Sequence, residues 1–290
     1  MDRFKTCLLC GSDRLRAMQG YEKDHLCKCQ SCGFVFAQRI PSHKELLDEY
    51  AQYARNDSIS EITLKRYDEL LQQFERYRRN NTIIDVGAGD GQLISRARQR
   101  NWNAYATEFD DRSVELCRQK GVTVRQGKLD ANHYEADFFD VICSVEVIEH
   151  INNPREEVRN FHKILRKGGL VYVTTPNLNS VSHKLLKSRW NIFHYPEHLC
   201  YYTPRTLEKL FKEAGFKKVW IETTGFSPGR FYQSVGSKQA QGSGPNNQND
   251  EALRSKTETK FFWKLLKKTI NGVLTLTKTG DNLKAAFVKK

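Results

Sequence analysis

Residues 83–91, Ile83-Ile84-Asp85-Val86-Gly87-Ala88-Gly89-Asp90-Gly91, join an apolar strand to a glycine-rich turn, and Gln92-Leu93-Ile94 opens a helix. Gly87, Gly89 and Gly91 remove the side chains that hold a ligand away from the backbone, and they permit turn angles other residues resist. Seventeen residues past Gly91, the short strand Ala104-Tyr105-Ala106-Thr107 ends in Glu108, whose carboxylate can accept both hydroxyls of a ribose. A glycine turn with an acid at the end of the next strand points to an adenosine-bearing ligand on a doubly wound α/β domain. A dinucleotide turn reads G-x-G-x-x-G, because a pyrophosphate sits on the helix N-terminus. Here the spacing is G-x-G-x-G, and Asp85 stands two residues before the first glycine. An anion there repels a pyrophosphate but suits a cationic amino acid and sulfonium.

A second chemical signal lies in the first forty residues. Cys7-x2-Cys10 and Cys29-x2-Cys32 are separated by eighteen residues, the spacing of a four-cysteine zinc ribbon. Gly11 and Gly33 follow the two pairs and let each turn back, so that two thiolates from each face one tetrahedral ion. Cys27 and His25 stand outside the x2 spacing. Four thiolates leave no open coordination position, so this zinc is expected to be structural.

The 290 residues, 39% of them apolar, suffice for one full α/β core with smaller attachments. No run of eighteen apolar residues exists to span a membrane, and no apolar stretch of signal-peptide type follows Met1-Asp2-Arg3-Phe4. Five of the eight cysteines cluster in residues 1–32, which is metal-site usage in a reducing compartment; a cytoplasmic protein is expected. The net charge of +13 invites a nucleic-acid partner, but +7 of it sits in residues 251–290, which weakens that reading. Oligomeric state has no signal in the sequence.

The elements that must position these residues alternate along the chain. Residues 42–79 read as helices, with Leu46, Leu47, Tyr50 and Tyr53 on one face and Ile62, Leu64, Tyr67, Leu70, Leu71 and Phe74 at three-to-four spacing. Strands are expected at 82–86, 103–107, 122–126, 139–144, 169–175 and 217–223, and helices at 91–100, 111–119, 154–165 and 203–214. Residues 236–250 carry almost no apolar side chains and are expected to be disordered. A helix at 257–276 precedes an apolar stretch at 283–288.

This order resembles class I S-adenosylmethionine-dependent methyltransferases. Phe139 to His150 looks like that family's fourth strand and following turn, and Leu165 to Asn177 like its helix-turn and fifth strand. The resemblance implies a doubly wound, seven-stranded Rossmann-like sheet whose last strand is antiparallel, a role that 281–290 fits. The domains are then a zinc ribbon at 1–40, a helical connector or lid at 41–79 and a methyltransferase domain at 80–235 completed by 281–290. Residues 236–278 form an insertion. By the same resemblance, Gly87, Gly89 and Gly91 shape the loop beside the cofactor, Asp85 supports its ammonium group and Glu108 holds the ribose hydroxyls. Phe109 covers one adenine face, and Ser144 and Val145 lie beneath the sulfonium. Many relatives carry an acid where this chain has Lys128, so Asp130 or the backbone of Leu129 is the alternative adenine contact.

A hydroxyl acceptor must lose its proton during methyl transfer, and candidate bases belong in the loops above strands four and five. Glu146, Glu149 and His150 follow strand four. After strand five, Trp190 to Thr203 packs two His, one Glu, three Tyr, one Trp and one Phe into fourteen residues. His194 and His198 are the candidate bases there, and the aromatics are expected either to flank an acceptor or to cap the helix starting at Thr203-Pro204. Between Glu146, His150, His194 and His198 the choice stays open.

A zinc ribbon ahead of such a domain looks like bacterial methyltransferases acting on sugars or secondary metabolites, and the domain is similar to ubiquinone-pathway O-methyltransferases. The expected acceptor is a glycan or other small hydroxylated molecule. The alternatives are an RNA methyltransferase with a zinc ribbon, and a non-catalytic binding module. Ser144-Val145-Glu146-Val147 stands where base methylation places an Asn/Asp-Pro-Pro-Tyr/Phe loop, which disfavours the first. In 258–276, Phe262, Leu265, Leu266, Ile270, Val273 and Leu274 fall on one helical face, with Lys260, Lys264, Lys267 and Lys268 outside it. That face is expected to meet an anionic membrane surface, or else the enzyme's own core or a second subunit.

Overall fold

The computed structural model describes residues 2–42, 44–46, 60–225 and 261–290, and of 261–267 the backbone. Leu47, Tyr50, Tyr53 and the 236–250 stretch lie outside the described residues. The chain divides into two compact units. One comprises Met1–Ser58, Pro176–Leu207 and Glu222–Leu283, the other Ile59–Thr175, Glu208–Ile221 and Lys284–Lys290.

In the first unit, β1 (Leu15–Ala17), β2 (Leu26–Cys29) and β3 (Val35–Ala37) form an antiparallel meander, with Cys7 and Cys10 in the segment before β1 and Cys29 and Cys32 at the β2–β3 turn. Gly11 and Gly33 sit at φ 75° and 78°, the left-handed conformation that glycine adopts without steric cost.

The second unit opens with α1 (Glu61–Phe74). Ser60 caps it by accepting the Thr63 N–H, and its inner face buries Leu71 and Phe74. Then come β4 (Thr82–Val86), α2 (Gln92–Gln99), β5 (Asn103–Glu108), α3 (Asp111–Gln119) and β6 (Thr123–Gln126). They are followed by β7 (Phe139–Val145), α4 (Pro154–Ile164) and β8 (Leu165–Pro176). All five residues of β4 are buried, as expected for a central parallel strand covered on both faces. Pro154 starts α4, where its missing N–H leaves no helical bond unmade.

β8 begins four residues earlier than the sequence predicts. Leu165 pairs with Phe139, and the register then slips so that Leu170 pairs with Val141. The irregularity brings Arg166 onto the buried Asp140 carboxylate, which also accepts the N–H groups of Arg79 at 2.9 Å and Thr82 at 3.3 Å. Burial opposes the Asp140 charge, but Arg166 and these donors outweigh it and hold its pKa below the usual carboxylate value.

Beyond β8, α5 (Val181–Leu186) is a short helix capped by Ser180, and β9 (Cys200–Tyr201) pairs with β3. The ribbon meander thus becomes a four-stranded sheet in the order β1-β2-β3-β9. Leu26, Val35 and Ala37 share one core with Leu178, Trp190, Phe193 and Tyr201. Neither α5 nor β9 was expected from the sequence. α6 (Pro204–Glu213) begins where the Thr203-Pro204 pair directs it: Thr203 N–H donates to Thr206 Oγ1 at 2.9 Å and Thr206 N–H returns to Thr203 Oγ1 at 3.2 Å.

β10 (Phe216–Thr224), α7 (Phe261–Thr277) and β11 (Asn282–Lys289) close the chain. The large sheet has seven strands in the order β10-β11-β8-β7-β4-β5-β6, with β4 to β8 parallel and the last strand antiparallel. The expected doubly wound α/β fold is therefore present. Among the described residues no helix is long and apolar enough to cross a membrane.

Candidate active site

The carboxyl ends of β4 and β5 meet around the glycine turn. Gly87, Gly89 and Gly91 take φ values of 73°, 55° and 74°. A Cβ at Gly87 would come within 2.5 Å of a Val147 methyl, and one at Gly91 within 2.7 Å of the Cys117 sulfur. Among the described residues nothing lies within 4 Å of the missing Cβ of Gly89, so this part of the turn is open there. The outer two glycines serve packing, and the middle one leaves room for a ligand.

Glu108, only 8% exposed, fixes this turn. One carboxylate oxygen accepts the Gly89 N–H at 2.7 Å; the other accepts those of Phe109 at 2.8 Å and Asp110 at 3.0 Å. Asp85 is fully buried near the end of β4, and its Oδ1 has no hydrogen-bond partner among the described residues. Burial, and then the charge of Glu108, push its pKa up to about 7. An orphaned carboxylate oxygen beneath an open turn is a cradle for a cation.

Tyr67 on α1 belongs to the same neighbourhood. Burial raises its hydroxyl pKa to about 12, with the charges of Asp85 and Asp90 adding to the effect. Its place in an apolar helical stripe had marked it as packing only; the sequence signal was a hydroxyl within that stripe. Phe109, directly after β5 and beside the turn, is 58% exposed. Leu129 is buried, while Asp130 caps the turn Ala131–His133 by accepting the Asn132 N–H at 2.9 Å. Glu157 on α4 went unnoticed in the sequence; it is buried, and desolvation, then Glu156, raise its pKa to about 7 against the pull of Lys128.

Ser144 is buried and Val145 half-buried at the end of β7, directly before Glu146. Glu146 is exposed with φ 56°, a conformation costly for a residue with a side chain and typical of functional turns. Thr174 holds it there: the Glu146 N–H donates to Thr174 O at 3.0 Å, and Thr174 Oγ1 donates to Glu146 Oε1 at 2.8 Å. His150 ends the short turn Ile148–His150, beside the buried Glu149.

His194 and His198 lie in the other compact unit. His194 Nδ1 is 2.9 Å from Glu197 Oε2, and His198 Nδ1 donates to Ile192 O at 2.7 Å, which leaves Nε2 as the proton-accepting nitrogen of the neutral ring. Three of the neighbouring aromatics pack inward. Trp190, Phe193 and Tyr201 are buried in the core of the ribbon unit, where His183 stacks on Trp190 with ring centroids 5.5 Å apart. Apolar side chains must cover the thin ribbon sheet, and that requirement claims them.

In the same unit the four predicted cysteines converge. Cys7 and Cys32 sulfurs are 3.6 Å apart, as are those of Cys10 and Cys29, and all four lie within 4.8 Å of one another. Tetrahedral thiolates about 2.3 Å from a zinc ion stand roughly 3.8 Å apart, so the quartet has the dimensions of such a site.

The profile of a family described as "Methyltransferase domain" matches residues 51–220. Among curated relatives, the ubiquinone biosynthesis O-methyltransferase of Pseudomonas aeruginosa is 27% identical over 104 residues, 33% of this chain and 45% of that protein. The protein of the same description from Roseobacter denitrificans is 26% identical over 158 residues, 50% of this chain and 64% of its own. The chain thus spans about half the length of the curated relatives it matches. A solved SAM-dependent methyltransferase from Archaeoglobus fulgidus superposes with a TM-score of 0.53 at 16% identity, covering 86% of this chain and all of that one, which shows a shared fold.

Proposed function

The chain belongs to the methyltransferase domain family, and on that premise we propose that it methylates a hydroxyl of a small acceptor using S-adenosylmethionine. The observation that carries this reading is the buried, unpartnered Asp85 oxygen beneath the open Gly89 turn. It fits a ligand with positive charge and not a pyrophosphate. Asp85 would hold the ammonium group and Glu108, at the end of β5 beside the turn, the ribose hydroxyls. Phe109 would cover the adenine, with Leu129 and Asp130 at its edge and Ser144 and Val145 beneath the sulfonium. Tyr67 joins this set. When bound, S-adenosylmethionine supplies an electrophilic methyl group.

The chain's own task is then to align the acceptor oxygen and take its proton. Glu146 is our leading base, because Thr174 fixes it in a strained turn one residue beyond Val145. His150, His194 and His198 are the other candidates. The names of the curated relatives support oxygen as the methylated atom. Within that class a glycan or nucleotide sugar remains our proposed acceptor, with a phenolic ring as the alternative. The cysteine quartet would hold one structural zinc, and reduced thiols of this kind suit the cytoplasm.

The test is incubation with radiolabelled cofactor and separate nucleotide-sugar, lipid-linked glycan, phenolic and RNA fractions. Label in one of the first three supports the proposal and names the acceptor class. Label confined to RNA overturns it.

A further inference from the structure

α7 is fastened through one face. Thr223 Oγ1 donates to Leu274 O at 2.7 Å, Thr275 Oγ1 donates to Thr223 O at 2.9 Å, and the Gly225 N–H donates to Asn271 Oδ1 at 2.9 Å. The opposite face carries Ile270, Val273 and Leu276, which are 47%, 56% and 84% exposed. Three large aliphatic side chains, each three residues after the last, form a stripe in water that folding alone does not explain.

Counted at about 100° per residue, Phe262, Leu265 and Leu266 continue the same stripe toward the helix N-terminus, with Trp263 at its border. By the same count Lys264, Lys267 and Lys268 fall outside it, and Lys268 and Lys278 are exposed. The last forty residues carry +7 of the chain's +13 charge. An apolar stripe bordered by tryptophan and backed by lysines complements a surface with an apolar interior and negative headgroups. A protein interface of the same stripe would not require lysines concentrated on the helix's other side.

We infer that α7 is a membrane-surface helix. It would lie in the plane of an anionic bilayer with Ile270, Val273 and Leu276 inserted at the headgroup boundary, while Asn271 and Thr275 keep it fastened to its unit. This inference does not depend on the acceptor or on methyl transfer, because its readout is lipid binding.

The test uses the full chain and sedimentation with vesicles of mixed phosphatidylglycerol and phosphatidylcholine, or of phosphatidylcholine alone. Binding is expected to the anionic vesicles only, and raised salt should release it. Ile270→Asp with Val273→Asp should abolish sedimentation. Lys267→Gln with Lys268→Gln, a surface change that leaves the stripe intact, should weaken binding roughly thirtyfold. Circular dichroism and cofactor affinity equal to the parent's would show that the variants fold. The inference is overturned if the parent stays in the supernatant with anionic vesicles at low salt, or if the aspartate variant binds them equally well. It is also overturned if equilibrium sedimentation shows a dimer that the aspartate variant dissociates, since the stripe would then belong to a second copy.

Discussion

Asp85 links the charge of the cradle to both affinity and stability. Its folded pKa of about 7 lies above the roughly 3.9 of an unfolded aspartate, so its contribution to stability is full below about pH 4 and is lost as pH rises through 7. A cationic ligand favours the ionised form, so affinity for S-adenosylmethionine should climb as pH rises from 5.5 toward 7 and level off above it. Asp85→Asn should flatten that profile, weaken binding by roughly 1.5–3 kcal/mol and raise the melting temperature of the ligand-free protein at pH 8. Calorimetry across pH, with thermal melts of both proteins, checks all three. Glu108→Ala should cost more, because it strands the N–H groups of Gly89, Phe109 and Asp110 as well as removing a ligand contact. We expect about 1–3 kcal/mol of lost stability in addition to weaker binding. The spacing of Asp85, Gly87, Gly89 and Glu108 made their juxtaposition legible in the sequence, since a strand-turn-helix unit brings such positions together wherever it folds. Tyr67 was not legible, because a tyrosine in an apolar stripe looks the same whether or not its hydroxyl is buried within the influence of Asp85 and Asp90. The role of the aromatics around Trp190 stayed open for the converse reason: composition shows that large rings are clustered, but only tertiary packing shows what they cover.

At the scale of elements, period and punctuation located the parallel strands within a few residues, because a strand buried on both faces must be a continuous apolar run. The two-residue β9 is different in kind. Cys200–Tyr201 becomes a strand only because the edge of β3 lies beside it, and no local signal encodes that. The return from α7 to β11 is another tertiary device. Asn177 donates to Lys278 O at 3.1 Å and Gly280 O at 2.7 Å, and its own N–H donates to Asp281 O at 2.8 Å. A Cβ on Gly280 would stand 2.5 Å from the backbone of Thr223 and Thr224, where no side-chain rotation relieves it. Gly280→Ala should therefore destabilise the protein by roughly 1–3 kcal/mol, measured as a shift in the denaturant midpoint. An unchanged midpoint would mean that this turn is not closely packed in solution.

At the scale of the whole molecule, the unit holding the ribbon extends well beyond residues 1–40. It draws in 176–207 and 222–283, so the cysteine quartet, β9 and the segment with His194 and His198 share one compact body. Below about 40 residues a fold usually depends on a metal or a disulfide, and the β1–β3 meander is that small. Loss of metal should therefore reach further along the chain than the four thiolates. We expect one zinc per chain, released by Cys29→Ser or by a chelator. Trp190 and Phe193, buried against Leu26, Val35 and Ala37, should then become exposed. The glycine turn, Asp85 and Glu108 belong to the other unit, whose core of Ile83, Ile94, Val141 and Leu170 is its own. Hydrogen exchange should accelerate in residues 190–202 as well as in 1–40, while cofactor affinity stays within about threefold of the parent's. If zinc removal left exchange in 190–202 unchanged, the ribbon would be an independent module. A collapse of cofactor affinity would instead show that the metal's influence crosses between the two units.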